Sequence, residues 1–148
     1  MSFLISNFLK VRKKTSELVS KLEPEDMIVQ SNDFVSPIKW HLGHTTWFFE
    51  NFILQKSKSY KKFDKSFNYI FNSYYNGVGI YNPKEKRGTI NRPLLEHVIK
   101  YRKHVDQNIT ETPKKAVLLL GSKGGDTSTM SAPTILIPVS SRITLRAS

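Results

Sequence analysis

The sequence contains no cysteine. That excludes disulfides, thiolate zinc sites and cysteine nucleophiles, and it suits a reducing compartment. Any metal bound here has to be held by His, Asp or Glu. Long apolar runs are missing too, since none reaches the roughly 18 residues of a membrane span. The N-terminal stretch Met1-Ser2-Phe3-Leu4-Ile5-Ser6-Asn7-Phe8-Leu9 is apolar, but its lysines follow it, the reverse of a secretory signal. A cytoplasmic location with no membrane partner is the expectation. Acidic residues are scarce: 12 Asp+Glu stand against 23 Lys+Arg in 148 residues, a formal net charge of +11. Such an excess can mark a nucleic-acid binder. Here the lysines are scattered, the clusters Arg12-Lys13-Lys14 and Lys61-Lys62 are short, and Asp and Glu are interleaved. The excess reads as a solvated lysine surface, and no nucleic acid partner is expected.

Aromatic residues are absent from the last 47 positions, and all 17 lie between Phe3 and Tyr101. From Thr110 onward the chain is rich in Ser, Thr, Gly and Pro. Two parts are therefore expected: a helical domain over residues 1–109, and a tail over 110–148 that is poorly structured or loosely attached. The runs Ala116 to Leu120 and Thr134 to Val139 are its only strand candidates. Phosphate cradles are missing. Gly77-x-Gly79 and Gly121-Ser122-Lys123-Gly124-Gly125 lack the strand-loop-helix setting and spacing that such a loop needs.

What is present before residue 110 is helical periodicity. Leu4, Phe8, Val11, Leu18 and Leu22 form a stripe that predicts a first helix ended by Pro24. Residues 24–36 read as a connection. Ser36-Pro37 starts a second helix on which Trp40, His44, Trp47, Phe48 and Phe52 share a face. Phe63, Phe67, Ile70, Phe71 and Tyr74 predict a helix within Tyr60 to Tyr75, broken by Gly77-Val78-Gly79. After a loop from Asn82 to Asn91, Pro93 opens a last helix with Leu95, Val98, Tyr101 and Val105 on one side. Helices joined by loops, with no internal repeat, predict an all-α antiparallel bundle.

Imidazole is a common metal ligand and a proton carrier near neutral pH. His44 lies on the apolar stripe of the second helix. At about 100° per residue, His41 is about 60° away around the axis. Spacing alone leaves two readings of His44, a packed core histidine bonded to a backbone group and a metal ligand. The zincin pattern H-E-x-x-H is absent. His97 and His104 share a face of the last helix, but Lys100, Arg102 and Lys103 surround them, so a solvated face is expected. Arg87 and Arg92 flank a loop, Lys86-Arg87-Gly88-Thr89-Ile90-Asn91-Arg92-Pro93, that leads to a helix start. Guanidinium forks and helix starts both favour carboxylates. The residues alone leave open a basic surface loop or a site for a small acidic substrate.

Several strings together carry a resemblance. They are Gln30-Ser31, Ser36-Pro37-Ile38-Lys39-Trp40-His41-Leu42-Gly43-His44-Thr45-Thr46-Trp47-Phe48-Phe49-Glu50, Phe71-Asn72-Ser73-Tyr74-Tyr75-Asn76-x-Val78-Gly79, Arg87-Gly88, Asn91-Arg92-Pro93 and Tyr101-Arg102-x-His104-Val105-Asp106. Over residues 10–109 the chain resembles the N-terminal domain of the ergothioneine-biosynthesis sulfoxide synthases, the hercynine oxygenases. Ovothiol and selenoneine synthases are related. The resemblance implies a DinB-like four-helix bundle and a mononuclear non-haem Fe(II) held by three histidines. It implies O2-driven C–S bond formation between a small thiol and the imidazole ring of trimethylhistidine. It maps the first ligand to His44, leaves His41 out, and assigns Arg87 and Arg92 to the carboxylates of the thiol substrate.

The chain departs from that pattern after Asn108-Ile109. The family's other two ligands come from an H-x-x-x-H element, and this sequence has none. The family's large C-terminal domain is also missing. A truncated or frame-shifted homologue is expected, with residues 110–148 foreign to the family and the chain inactive alone. One imidazole does not hold Fe(II) against water, for which three fixed ligands are the usual arrangement. An incomplete bundle also leaves apolar stripes exposed, a surface for self-association or a partner. The alternatives are a non-catalytic interaction module, or another DinB-like metal-dependent thiol transferase with His41, His97 or His104 as substitute ligands.

Overall fold

The computed structural model describes residues 3–111. The expectations for the tail, including both strand candidates, lie outside these residues. Four α-helices occur in the order α1 (Phe3–Val19), α2 (Ile38–Phe52), α3 (Phe67–Phe71) and α4 (Leu95–Glu111). Short 3-10 turns at Asp26–Ile28, Leu54–Lys56, Asn76–Val78 and Lys84–Thr89 punctuate the connections. No strand occurs among the described residues, so the all-α expectation holds.

Helix α2 is the centre of the structure. Pro37 precedes its first turn in an extended conformation, and its carbonyl accepts the first helical bond from the His41 N–H. A fixed φ and no N–H to satisfy suit proline to that place. The helix packs on α4, on α3 and on the turns at Asp26–Ile28 and Leu54–Lys56. Trp40, Leu42 and Trp47 from α2 meet Val98, Tyr101, Val105 and Ile109 from α4, with Phe67 and Phe71 from α3 closing the core. Each fully buried side chain of this size contributes about 1.5–3 kcal/mol. The α4 stripe expected from the sequence is the buried one. Gly43 permits the closest approach in this core, because a Cβ there would lie 2.2 Å from the Phe71 ring.

Two expectations are corrected. The first concerns α1, which ends at Val19, before Pro24 is reached. Its buried line runs through Ile5 and Arg12, whereas Leu4, Val11 and Leu18 are 48%, 64% and 70% exposed. Ile5 and Arg12 are seven residues apart and so lie on one line, next to the line of Leu4, Val11 and Leu18. The helix lies against α4 along that narrow line. Arg12 bonds Asp106 of α4 there, with Nε 2.9 Å from Oδ1. An ion pair therefore decides which strip faces inward.

The second concerns the segment Tyr60 to Tyr75, which is not one helix. Only Phe67–Phe71 is helical. Asp64 Oδ1 accepts bonds from both the backbone N–H and the hydroxyl of Ser66, which holds the chain in a turn just before α3. At the other end the fully buried Asn72 donates to the carbonyls of Tyr75 and Gly79 and accepts from the Tyr75 N–H. A side chain that bonds nearby backbone offers an alternative to helix. The Asn82 to Asn91 loop likewise contains the Lys84–Thr89 turn.

Candidate metal-ligand and anion site

His44 sits halfway along α2, and its ring is stacked flat on Trp40, with centroids 4.6 Å apart and planes 11° apart. Trp47 lies on the same side at 5.8 Å. The Nδ1 atom is 2.7 Å from the Phe71 carbonyl. A carbonyl only accepts, so Nδ1 carries the hydrogen and Nε2 is left with its lone pair. Burial pushes the imidazole below its ordinary value, Arg87 and His41 push it the same way, and the Phe71 bond opposes them. The ring is thus neutral near pH 7. A neutral imidazole whose other nitrogen donates to a backbone carbonyl is how ligating histidines are ordinarily oriented. Backbone bonding alone would also suit a packed core histidine, and Nε2, which has no hydrogen bond among the described residues, is what gives this ring coordinating capacity.

Arg87 covers the other face of Trp40. Its guanidinium carbon is 3.6 Å from the ring centroid, and Nη1 donates to Ser36 Oγ at 2.9 Å. The residue is only 4% exposed, and Nε and Nη2 are buried without a partner among the described residues. Burial lowers its pKa, while Tyr74, Glu85 and Tyr81 act in the other direction. Arg87, Trp40 and His44 therefore form a three-layer stack, with Trp47 nearly parallel to the imidazole as well. The Nε2 lone pair lies in the plane of the ring, at the edge of this stack.

The other sequence candidates differ from these two in their exposure and partners. Arg92 is exposed; its nearest bond is to the Asn91 carbonyl at 3.3 Å, and its charge acts on Lys39 rather than on His44. His41 is exposed, edge-on to Trp40 at 5.6 Å, with its pKa lowered by desolvation of the ring, then by Arg87 and Lys84. His97 is exposed, as expected for a solvated face. His104 is half-buried, against Tyr60 and Phe63, and Asn108 bonds its carbonyl. Among the described residues no group of three or more His, Asp or Glu could hold a metal ion. His41, His97 and His104, the alternative ligands, are not assembled into such a group among the described residues.

Sequence reasoning missed two buried polar clusters. Glu50 is fully buried; Oε1 accepts from the Tyr60 hydroxyl at 2.7 Å and the Phe63 N–H at 2.9 Å, and Oε2 from the Tyr101 hydroxyl at 2.6 Å. Burial first, and Glu50 second, raise both tyrosines well above their ordinary values. The available signal was a Glu three residues after Trp47, on the apolar side of the helix. The other cluster sets Arg12 and Arg102 against the single Asp106, with Thr45 Oγ1 accepting from both guanidinium groups. Burial and Arg102 bring Arg12 down to about 10, with Asp106 opposing.

An all-helical domain that presents a neutral histidine from its second long helix beside a buried arginine is the class these features define. A family model of the DinB superfamily matches residues 7–116. The chain belongs to the DinB superfamily, whose members are generally metal-binding helical domains. No curated protein matches the chain.

Proposed function

We propose that this chain is the N-terminal helical part of a hercynine-oxygenase-like enzyme, and that it supplies one of three imidazoles, His44 Nε2, to a non-haem Fe(II). The carrying observation is the Nδ1 bond to the Phe71 carbonyl, which fixes the ring and frees Nε2. Arg87 is the residue that would face the carboxylate of a small thiol, because two of its buried nitrogens are unpaired. Arg92 is exposed, and its assignment rests on the sequence resemblance alone. Trimethylhistidine as co-substrate rests on the same resemblance.

The residues present do not fit a complete iron site. Three fixed ligands are needed, and one is here. Residues 112–148 contain no histidine, so further imidazoles must come from outside these 148 residues. The reading is of a contributor to a site, inactive alone. Titration with Co(II), followed by visible absorption and by NMR of the histidine rings, tests it. Weak binding that broadens the His44 ring and disappears in His44→Ala is expected. Tight stoichiometric binding, or binding indifferent to His44→Ala, would contradict it.

A second reading, a non-catalytic interaction module, is favoured by the exposed line of Leu4, Val11 and Leu18 on α1. It predicts association measurable by analytical ultracentrifugation that Val11→Asp reduces and His44→Ala leaves unchanged.

A further inference from the structure

Arg87 is buried, charged and only partly bonded, a combination that costs free energy unless neighbouring structure holds it in place. Among the described residues its own side chain has one direct bond, to Ser36. The backbone on either side is held from a distant loop. Gln30 Nε2 donates to the Lys84 carbonyl at 2.9 Å and to the Val35 carbonyl at 2.9 Å. Gln30 Oε1 accepts from the Gly88 N–H. One amide therefore closes both ends of the Lys84–Thr89 turn across 54 and 58 residues of sequence and ties it to the segment that leads into α2. The approach is tight: a Cβ at residue 88 would lie 2.6 Å from Gln30 Cβ, so this position accepts only glycine without displacement. Lys39 Nζ adds a bond to the Ile90 carbonyl at 2.8 Å, just beyond the turn.

From this geometry we infer that Gln30 is a positioning residue: it holds the turn that keeps the Arg87 guanidinium against Trp40, with two nitrogens free for an oxyanion. The inference rests on the reading that Arg87 and His44 form one site. A side-chain amide suits the task because it donates twice and accepts once in a single plane. A carboxylate at residue 30 would accept from Gly88 but could not donate to Lys84 or Val35.

The test needs no metal, so its failure is separable from failure of the iron reading. The Arg87 Nε–H resonance is recorded in the wild type, Gln30→Ala and Gln30→Glu, together with its hydrogen exchange and the tryptophan emission. In Gln30→Ala the signal is expected to move to the position of a solvated arginine, with exchange at least about tenfold faster and Trp40 emission altered. Gln30→Glu, which keeps one bond of three, is expected to fall between. Helical circular dichroism and the Trp47 Nε1–H resonance should stay as in the wild type. An unmoved Arg87 Nε–H in either folded variant would overturn the inference. If Gln30→Ala does not fold, Gln30→Glu decides it. Loss of fold in both would also overturn it, because Gln30 would then be a requirement of the whole domain.

Discussion

Replacing Glu50 with leucine removes the single acceptor of three donors. The Tyr101 hydroxyl loses its partner inside the core, and the half-buried Tyr60 hydroxyl and the N–H of the exposed Phe63 lose theirs. Each buried donor left unsatisfied costs about 1–3 kcal/mol. Tyr60 and Phe63 count for less, since solvent reaches part of each. Removing a buried charge and adding an apolar side chain offset some of the loss. A buried ionic group replaced together with its partners can be neutral or stabilising, whereas removing one member alone is costly. Here only one member is removed, so a net loss of about 3 kcal/mol is expected, a large part of the roughly 5–15 kcal/mol that holds a domain folded. Urea denaturation followed by circular dichroism reads this directly. With a slope of about 1–3 kcal/mol per molar urea, the midpoint should fall by about 1–3 M. Glu50→Gln keeps the shape and one acceptor oxygen, and about 1 kcal/mol is expected. A double-mutant cycle with Tyr101→Phe should give a coupling of about 1.5–3 kcal/mol, the range for a hydrogen bond to a charged group. A Glu50→Leu protein as stable as the wild type would refute the reasoning, because the three donors would then have other partners.

Acidification below neutral pH should weaken the fold through its histidines. His44 and His41 both have lowered pKa values in the folded chain, so below about pH 6.5 the unfolded chain takes up protons that the folded chain refuses. Stability should be full above that value, fall as the pH drops through it, and level off below the folded pKa values. Asp106, raised mainly by burial, acts in the opposite direction at lower pH. Urea midpoints at about pH 7.5 and about pH 5.5 test this, and His44→Gln should reduce the difference. In the Arg12, Arg102 and Asp106 cluster, removing the one anion strands two cations. Asp106→Ala should cost about 2 kcal/mol or more, and Arg12→Met, which leaves a balanced pair and keeps the stem packed on Phe8 and Phe49, distinctly less. Thermal denaturation of the two variants side by side gives the order. Gly43→Ala drives a methyl into the Phe71 ring and should cost about 1–3 kcal/mol by overpacking. It should also shift the His44 ring resonances, since Phe71 supplies the carbonyl that His44 bonds.

Helices α2 and α4 were legible because each has one apolar stripe and the two bury those stripes against each other. Trp40, Trp47, Val98, Tyr101 and Val105 all point where their spacing says. In α1 the apolar residues cover two adjacent lines, and periodicity cannot say which one faces the core. The choice falls to Arg12, which reads as a surface residue and is buried only because Asp106 lies 94 positions away in sequence and close in space. Phe63 to Tyr74 carry helical spacing, yet the Asp64 and Asn72 side chains redirect the backbone at both ends of α3. Local side-chain bonding of that kind overrides an apolar pattern.

His44 was identifiable as a candidate from its place among Trp40 and Trp47. Its tautomer was not, because that depends on the Phe71 carbonyl, 27 residues on. Arg87 and Arg92 looked equivalent in sequence. They separate in space because the Lys84–Thr89 turn folds Arg87 inward over Trp40 and leaves Arg92 in solvent. Glu50 escaped notice because its meaning lies in three donors from two other segments.

The account turns on His44 being a neutral imidazole with its hydrogen on Nδ1 and a free Nε2. Two-bond nitrogen–hydrogen NMR of the histidine rings at neutral pH reads that state without any metal. The account predicts the Nδ1–H tautomer for His44, with an unprotonated Nε2 that Phe71 leaves available. An Nε2–H tautomer, or a charged imidazolium at that pH, would contradict it.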